Sequence, residues 1–170
     1  IGVRLVGSEM CIRDSNKIYS DIVSGLEAGK NVAMLTIGDP SVYSTYMYIH
    51  KRVMQAGFTA VMISGVPSFC AAAARLGISL GEMMDEIHII PASYDVRATV
   101  GYGGTCVYMK SGKKLAELIE VLRTGDAIRK KKMTVYGVTN CGMESERVYR
   151  GLDELTEAKG YLTIVIVKYS

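Results

Sequence analysis

The sequence lacks the paired cysteines and histidines from which most metal sites and disulfide frameworks are built. It contains four Cys and two His in 170 residues, at wide spacings and without a Cys-x-x-Cys pair. This distribution argues against a zinc site or a disulfide scaffold. We therefore expect no metal. We interpret Cys70 and Cys106 as small hydrophobic side chains and His50 and His88 as structural residues.

Long apolar runs, strong net charge and phosphate-binding motifs are also lacking. No apolar run is long enough to cross a membrane, and no basic-then-apolar stretch typical of a secretory signal opens the sequence. The formal net charge of +3 is too small to indicate a nucleic-acid partner. Neither Gly-x-x-x-x-Gly-Lys-Ser/Thr nor Gly-x-Gly-x-x-Gly occurs, which counts against phosphate chemistry. We expect a cytoplasmic protein that binds neither membrane nor nucleic acid.

Apolar residues are abundant, at 49% of the chain, which is enough for a substantial core. In the first part of the chain, helical spacings alternate with short apolar runs typical of buried strands. The predicted elements are a helix over 16–28, a strand over 32–37, a helix over 41–56, a strand over 59–63, a helix over 67–76 and a strand over 86–90. This alternation predicts an α/β domain of parallel, right-handed βαβ units with ligands at the carboxyl ends of the strands.

The pattern changes at residues 93–104, a glycine-rich stretch that we interpret as a linker between domains. Beyond it, the predicted elements are strands over 105–109, 133–138, 146–151 and 161–167, a helix over 114–122 and a short helical turn over 152–157. Late strands without long helices between them indicate a mixed or antiparallel sheet. The sequence thus predicts an N-terminal α/β domain over 16–92, a C-terminal α/β domain over 105–170 and a cleft between them.

The turn Gly38-Asp39-Pro40 directly follows the first predicted strand and precedes a predicted helix. Gly38 permits a tight turn, Asp39 suits an N-cap, and Pro40 suits the first helical position, where the missing N–H costs nothing. The first free N–H groups of such a helix form a slightly positive cradle for a carboxylate, a ribose or a phosphate. By itself the tripeptide indicates no more than a well-capped strand-to-helix junction.

The longer string from Val32 to Tyr48, which contains Gly38-Asp39-Pro40-Ser41-Val42-Tyr43-Ser44, closely resembles a block of the tetrapyrrole (corrin/porphyrin) methyltransferase family. Three further blocks follow in that family's order: Gly65-Val66-Pro67-Ser68-Phe69, Val107-Tyr108-Met109-Lys110 and Val138-Thr139-Asn140-Cys141-Gly142-Met143-Glu144. The resemblance extends from about Asn16 to the C-terminus. Within the family, residues 40–46 favour the branch that methylates carbon 20 of precorrin-2 in cobalamin biosynthesis.

The resemblance implies a two-domain tetrapyrrole methylase fold, usually as a homodimer, with S-adenosylmethionine as methyl donor and precorrin-2 or its cobalt form as acceptor. The sulfonium donor is already activated, so the protein supplies binding, alignment and a dry site, and no catalytic side chain is indicated. The positions that match the family's cofactor contacts are Gly38, Asp39, Val42, Pro67, Ser68, Phe69, Met109, Asn140, Cys141 and Gly142. Tyr43 and Lys110 are the candidates for contact with the substrate.

Residues 1–15 stand apart from the resemblance. Leu5 to Ser15 back-translate into a sequence that reads as a transposase-type sequencing adapter, and we interpret residues 1–15 as an artefact outside the fold. Family members begin with a strand and a Gly-x-Gly-x-Gly-Asp turn, which this sequence does not contain. The resemblance therefore predicts a truncated N-terminal domain without one central strand, and an activity that belongs to the intact parent.

Several alternatives stay open at this point. The chain could belong to another corrin-ring C-methyltransferase of the same family. From a different class, it could be a non-catalytic nucleotide- or anion-binding α/β module that uses the helix N-termini at Pro40 and Pro67 as cradles. It could also be an inert fragment.

Overall fold

The computed structural model describes residues 12–128, 132–160 and 162–169. Its elements, in chain order, are α1 (Ile12–Glu27), α2 (Tyr46–Gln55), α3 (Ser68–Leu76), β1 (Ile87–Pro91), β2 (Thr105–Met109), α4 (Leu115–Ile128), β3 (Met133–Thr139), β4 (Arg147–Arg150), α5 (Leu152–Leu155) and β5 (Thr163–Tyr169). Short 3₁₀ helices cover Arg97–Gly101 and Gly112–Lys114. The contacts divide the chain into two compact units, Ile1–Pro67 and Ser68–Ser170.

The second unit is built on a five-stranded sheet in the order β1-β2-β5-β3-β4. Strands β1 and β2 are parallel, β5 runs antiparallel to its neighbours β2 and β3, and β4 runs antiparallel to β3. This arrangement confirms the mixed sheet predicted for the C-terminal half. Residues 93–104, predicted as an interdomain linker, connect two neighbouring strands of this sheet, and the two units divide earlier, after Pro67. The predicted domain boundaries at 92 and 105 stay a prediction.

Strand β5 lies in the middle of the sheet and is buried on both faces. Val165 and Val167 belong to one core cluster together with Leu118 of α4. Ile164 and Ile166 point to the opposite face, because successive side chains of a strand alternate. Helix α3 also contacts β5, and its buried residues lie outside the cluster on the first face. Helices therefore cover both faces of the sheet, as the continuous apolar sequence of β5 requires.

Two strands predicted in the first part of the chain, over 32–37 and 59–63, are absent, so this prediction was wrong. Neither segment belongs to a helix or strand, and several of their apolar side chains stay exposed, with Leu35 at 70%, Val61 at 78% and Ile63 at 84%. A strand forms only where a neighbour completes its hydrogen bonds. Among residues 12–128, 132–160 and 162–169, no strand pairs with either run, so apolar sequence alone does not produce a ladder.

The first three helices agree with the sequence prediction to within one residue at their C-terminal ends, whereas the helix predicted over 114–122 is α4, which begins at Leu115 and continues to Ile128. The helix predicted over 16–28 is α1, which begins at Ile12, inside the segment that we interpret as an artefact. Residues 1–11 of that segment lie outside the described residues, so its interpretation stays a prediction. The helix predicted over 41–56 begins only at Tyr46.

At Gly137 of β3, the short helix α5 packs closely against the sheet. A Cβ atom on Gly137 would lie 2.5 Å from Cδ1 of Leu155 and 3.3 Å from Cδ2 of Tyr149. Leu155 itself is fully buried. The absence of a side chain at position 137 is therefore what gives Leu155 its place in the core.

We predict that Gly137→Ala destabilises the protein by about 1–3 kcal/mol, the range for an overpacked core, as measured by urea unfolding. Leu155→Ala alone should cost about 2–5 kcal/mol. The double variant should lose less than the sum, because the added methyl group occupies part of the vacated space. Gly103→Ala is the matched control, since a Cβ atom there meets open space, and it should change stability by less than about 0.5 kcal/mol. Strict additivity of the two core substitutions would contradict the packing described here.

Candidate functional site

In the first unit, the Asp39 carboxylate ties together two turns that the family blocks single out. Its Oδ1 atom accepts hydrogen bonds from the Ser41 N–H at 2.8 Å and the Ser41 hydroxyl at 2.5 Å. Its Oδ2 atom accepts from the Gly65 N–H at 2.9 Å. These bonds, led by that of the Ser41 hydroxyl, hold the pKa of Asp39 below its ordinary value because they favour the charged form. Both carboxylate oxygens are thus bonded to the chain itself.

Gly65 is required at this junction for steric reasons. A Cβ atom on Gly65 would lie 2.3 Å from the carbonyl oxygen of Gly38. Because this oxygen belongs to the backbone, no change of side-chain rotamer could remove the clash. Gly38 itself has a φ of 85°, which favours glycine. The two turns therefore contact each other main chain to main chain, with Asp39 as the tie.

The late start of α2 changes what this turn can offer to a ligand. The Ser41 N–H bonds to Asp39 Oδ1, the Val42 N–H bonds to the Asp39 carbonyl at 3.2 Å, and Tyr43 has a φ of 49°, which interrupts a helix. Asp39 therefore closes a local turn and does not cap α2. The N–H groups of residues 41 and 42 are used internally, so the cradle predicted at a helix beginning near Ser41 does not form there.

In the second unit, the loops after β2 and β3 leave the same edge of the sheet. Both strands flank β5 and run antiparallel to it, so β2 and β3 are parallel to each other. Tyr108 and Val138, near their carboxyl ends, face Val165 and Ile164 at the start of β5. With one strand between them, the two chain ends lie about 10 Å apart. The topology thus brings Met109 and Lys110 close to Asn140, Cys141 and Gly142.

Left-handed backbone conformations coincide with the predicted site. Among the described residues, the four non-glycine positions with positive φ are Tyr43, Met83, Lys110 and Asn140. Three of these were predicted as site residues from the sequence. A left-handed conformation costs a non-glycine residue about 1–2 kcal/mol, and such strain clusters at functional sites. Lys110 and Asn140 adopt the left-handed conformation directly after the last residues of β2 and β3.

The loop after β3 is held by a second carboxylate, Glu146. Its Oε2 atom accepts the Gly142 N–H at 2.8 Å, and its Oε1 atom accepts Nε of Arg75 in α3. The Gly142 N–H and the Arg75 guanidinium keep the pKa of Glu146 below its ordinary value. Burial first, and then the negative charge of Glu146, raise the pKa of the neighbouring Cys141 thiol.

Several predicted contacts are restricted by burial. Phe69 and Met109 are both only 8% exposed, so neither side chain presents a large surface to a ligand. Ser111 follows Lys110 and is 1% exposed, and its hydroxyl has no hydrogen-bond partner within the described part of the chain. A buried polar atom of this kind requires an explanation, and a bound polar molecule is one.

Sequence reasoning missed Glu146, Arg75 and Ser111. Glu146 and Arg75 are 71 positions apart, a separation at which no spacing rule pairs residues. Serine next to lysine is also an ordinary combination. Across the described ranges, no group of His, Cys, Asp and Glu is arranged to hold a metal ion, and no helix there has the length and apolarity to span a bilayer.

These observations define an α/β protein with candidate ligand-binding loops at the carboxyl ends of strands. Residues 11–156 match the sequence model of a family described as Tetrapyrrole (Corrin/Porphyrin) Methylases. The match covers most of the chain, and the chain belongs to this family. The family resemblance stated from four sequence blocks is confirmed.

Curated relatives carry the names of methyltransferases of corrin intermediates. The probable cobalt-precorrin-2 C(20)-methyltransferase of Methanocaldococcus jannaschii is 32% identical over 146 residues, which cover 84% of this chain and 61% of the relative. The precorrin-4 C(11)-methyltransferase of Rhodococcus erythropolis is 27% identical, with 71% of this chain and 52% of the relative covered. The chain therefore spans less than two thirds of the length of either relative.

Solved structures of the family share the fold. The X-ray structure of a cobalt precorrin-4 methyltransferase superposes with a TM-score of 0.76 at 15% identity, covering 95% of this chain and 72% of that one. Uroporphyrin-III C-methyl transferase from Thermus thermophilus, complexed with S-adenyl homocysteine, gives a TM-score of 0.70 at 17% identity, covering 90% and 72%. These likenesses confirm the predicted tetrapyrrole methylase fold.

We predict that the amide signals of Ser41 and Gly65 titrate together with the Asp39 carboxyl in an NMR pH series. Their common midpoint should lie below 3.8, the ordinary pKa of this group, because both amides donate to its charged form. By linkage, a lowered folded-state pKa gives a stabilisation that is complete above the unfolded-state pKa and is lost as the pH falls through the folded-state pKa. Asp39→Asn should abolish both the titration and this acid-dependent part of stability. A midpoint at or above 3.8 would contradict the tie.

Proposed function

We propose that the chain is part of an S-adenosylmethionine-dependent methyltransferase that methylates carbon 20 of precorrin-2, or of cobalt-factor II, in cobalamin biosynthesis. The observation that carries the proposal is the coincidence of left-handed backbone at Tyr43, Lys110 and Asn140 with three separate family blocks. Membership of the family supports methyl transfer to a tetrapyrrole. The name of the relative from M. jannaschii supports methylation at carbon 20. The relative from R. erythropolis is named for carbon 11, so methylation at carbon 11 is the main alternative.

The proposed cofactor is S-adenosylmethionine, whose sulfonium supplies an already activated methyl group. The residues present fit such a molecule. The N–H groups of Asn140 and Gly142 are already bonded to Leu162 and Glu146. In the proposal the cofactor is therefore contacted by main-chain carbonyl groups of this turn and of Met109, because a carbonyl oxygen can accept a second hydrogen bond. The buried Ser111 hydroxyl, without a partner in the described chain, can pair with a polar group of the bound cofactor. This fit requires no metal and no nucleophilic side chain.

The remaining family positions contribute in the proposal through the turns that they form. In the first unit these are Gly38, Asp39, Val42 and Pro67, and in the second Ser68 and Phe69 at the start of α3. Asp39 acts by fixing the contact of Gly38 with Gly65, since both of its oxygens are bonded to the chain. We further propose a homodimer and a cytoplasmic location.

The substrate is proposed to lie against Lys110 and Tyr43. Precorrin-2 carries many carboxylates, and the ammonium group of Lys110 provides a complementary charge directly after β2. Tyr43 is 45% exposed and so presents a surface on which an apolar part of the ring system can pack. The protein's role is to align the attacking carbon with the methyl group and to exclude water.

We predict that the intact parent protein, of which this chain is part, binds S-adenosylhomocysteine in a calorimetric titration and shows no response to ATP or NAD. Methyl transfer is then tested with S-adenosylmethionine and three acceptors: precorrin-2, precorrin-4 and uroporphyrinogen III. Incorporation of one methyl group only with precorrin-2 supports the carbon-20 assignment. Transfer to precorrin-4 instead would identify another corrin-ring methyltransferase, and binding of ATP or NAD without S-adenosylhomocysteine would identify a nucleotide-binding module.

We predict that Lys110→Asn raises KM for the tetrapyrrole by about tenfold, corresponding to about 1.4 kcal/mol for a lost charged hydrogen bond, with little change in kcat. Asn is chosen because it tolerates a left-handed backbone, so the turn is kept while the charge is removed. The matched control is Lys159→Asn, an exposed lysine in the same unit. Equal KM values for the two variants would remove Lys110 from the substrate site.

A further inference from the structure

Glu146 makes two bonds that belong to different parts of the second unit. Oε2 accepts the main-chain N–H of Gly142, four residues earlier, at 2.8 Å. Oε1 accepts Nε of Arg75, on the helix that packs against β5. The Glu146 side chain is 17% exposed, whereas that of Arg75 is 56% exposed. The carboxylate is therefore the sheltered member of the pair and the one in contact with the loop.

The loop that Glu146 holds has a strained and specific shape. Asn140 and Gly142 have φ values of 52° and 79°, and the Asn140 amide donates to the Ser145 hydroxyl at 3.0 Å. The Met143 N–H closes a turn onto the Asn140 carbonyl at 3.0 Å. These bonds are local, so they bend the loop but do not fix it relative to the helix. The Glu146–Arg75 pair connects the loop to α3.

We infer that Glu146 is a positioning residue, which together with Arg75 holds the turn at residues 140–142 in the form that receives the cofactor. This inference rests on the proposed function for the identity of the ligand. Neither residue is among the positions that match the family's cofactor contacts. Its role follows from the bond to Gly142, one of the three residues whose main chain forms the proposed contact.

The acceptor count of a carboxylate explains why an amide cannot replace it here. Both oxygens of Glu146 accept from a donor, one from a backbone N–H and one from a guanidinium N–H. Gln has a single acceptor oxygen, and its NH₂ group would face one of these two donors. Glu146→Gln therefore keeps the size of the side chain but breaks one of the two hydrogen bonds. It also places the Gln NH₂ group against an N–H donor of Gly142 or Arg75.

The chain offers a closely matched control in Glu154. Its Oε2 atom accepts the main-chain N–H of Arg150, again four residues earlier, at 2.7 Å. Glu154→Gln retains an acceptor for that single bond. It makes the same chemical change on the same unit without touching the turn at residues 140–142.

Two measurements on the full chain test the inference. Calorimetry gives the dissociation constant for S-adenosylhomocysteine, and Glu146→Gln should weaken it by about tenfold. Peptide-resolved alkylation gives the pH profile of the Cys141 thiol, whose charged neighbours are Glu146 and Arg75. Because the Glu146 charge raises the pKa of Cys141, its removal should move the midpoint of this profile to lower pH. Glu154→Gln should leave both quantities as in the wild type.

Each outcome decides the inference. Weaker binding with a lowered Cys141 midpoint in Glu146→Gln, and neither change in Glu154→Gln, supports it. Wild-type affinity in Glu146→Gln overturns it. If the wild-type protein binds no S-adenosylhomocysteine, the proposed function fails separately. The Cys141 profile then tests only the contact of Glu146 with the turn: a lowered midpoint supports that contact, and an unchanged midpoint overturns the inference. Should Glu146→Gln not fold, Arg75→Gln, at a half-exposed side chain, is measured instead, with weaker binding expected and wild-type affinity overturning the inference.

Discussion

The central position of β5 is the constraint on which the second unit depends. It pairs with β2 on one side and β3 on the other, and four consecutive residues, from Ile164 to Val167, are buried. Because both neighbours run antiparallel to it, they run parallel to each other and end at one edge. A single strand thus determines where the two loops of the proposed site begin, although the strand itself contributes no predicted contact residue.

The sequence was most informative for strands whose pairing partners lie within the described residues. Strand β2 was predicted with its observed bounds, Thr105–Met109, and β1, β3, β4 and β5 were predicted to within two residues at either end. The apolar runs over 32–37 and 59–63 have equally strong strand composition but no ladder in the described chain. The composition of a segment shows that it is suited to burial in a sheet. Whether it forms a strand depends on a neighbouring strand, which its own residues do not specify.

The site was predictable as a set of positions and less so as a set of roles. Asp39 illustrates this difference, because the motif located it correctly but suggested an N-cap. The structure shows a tie to Gly65, which no local rule supplies since the partner lies 26 positions away. The same limit applies to Glu146. Asp39 in the first unit and Glu146 in the second each join segments that are distant in sequence, and in the proposed site they would hold main-chain groups in place.

The bond between Glu146 and Arg75 also has a consequence for the order of folding. The turn at residues 140–142 can form locally, but its link to α3 closes a long stretch of chain, and closure of long loops is the slow and entropically costly part of folding. The link cannot exist before α3 has docked on the sheet. In the proposed site, the turn would therefore reach its ligand-binding form only after α3 has packed on the sheet.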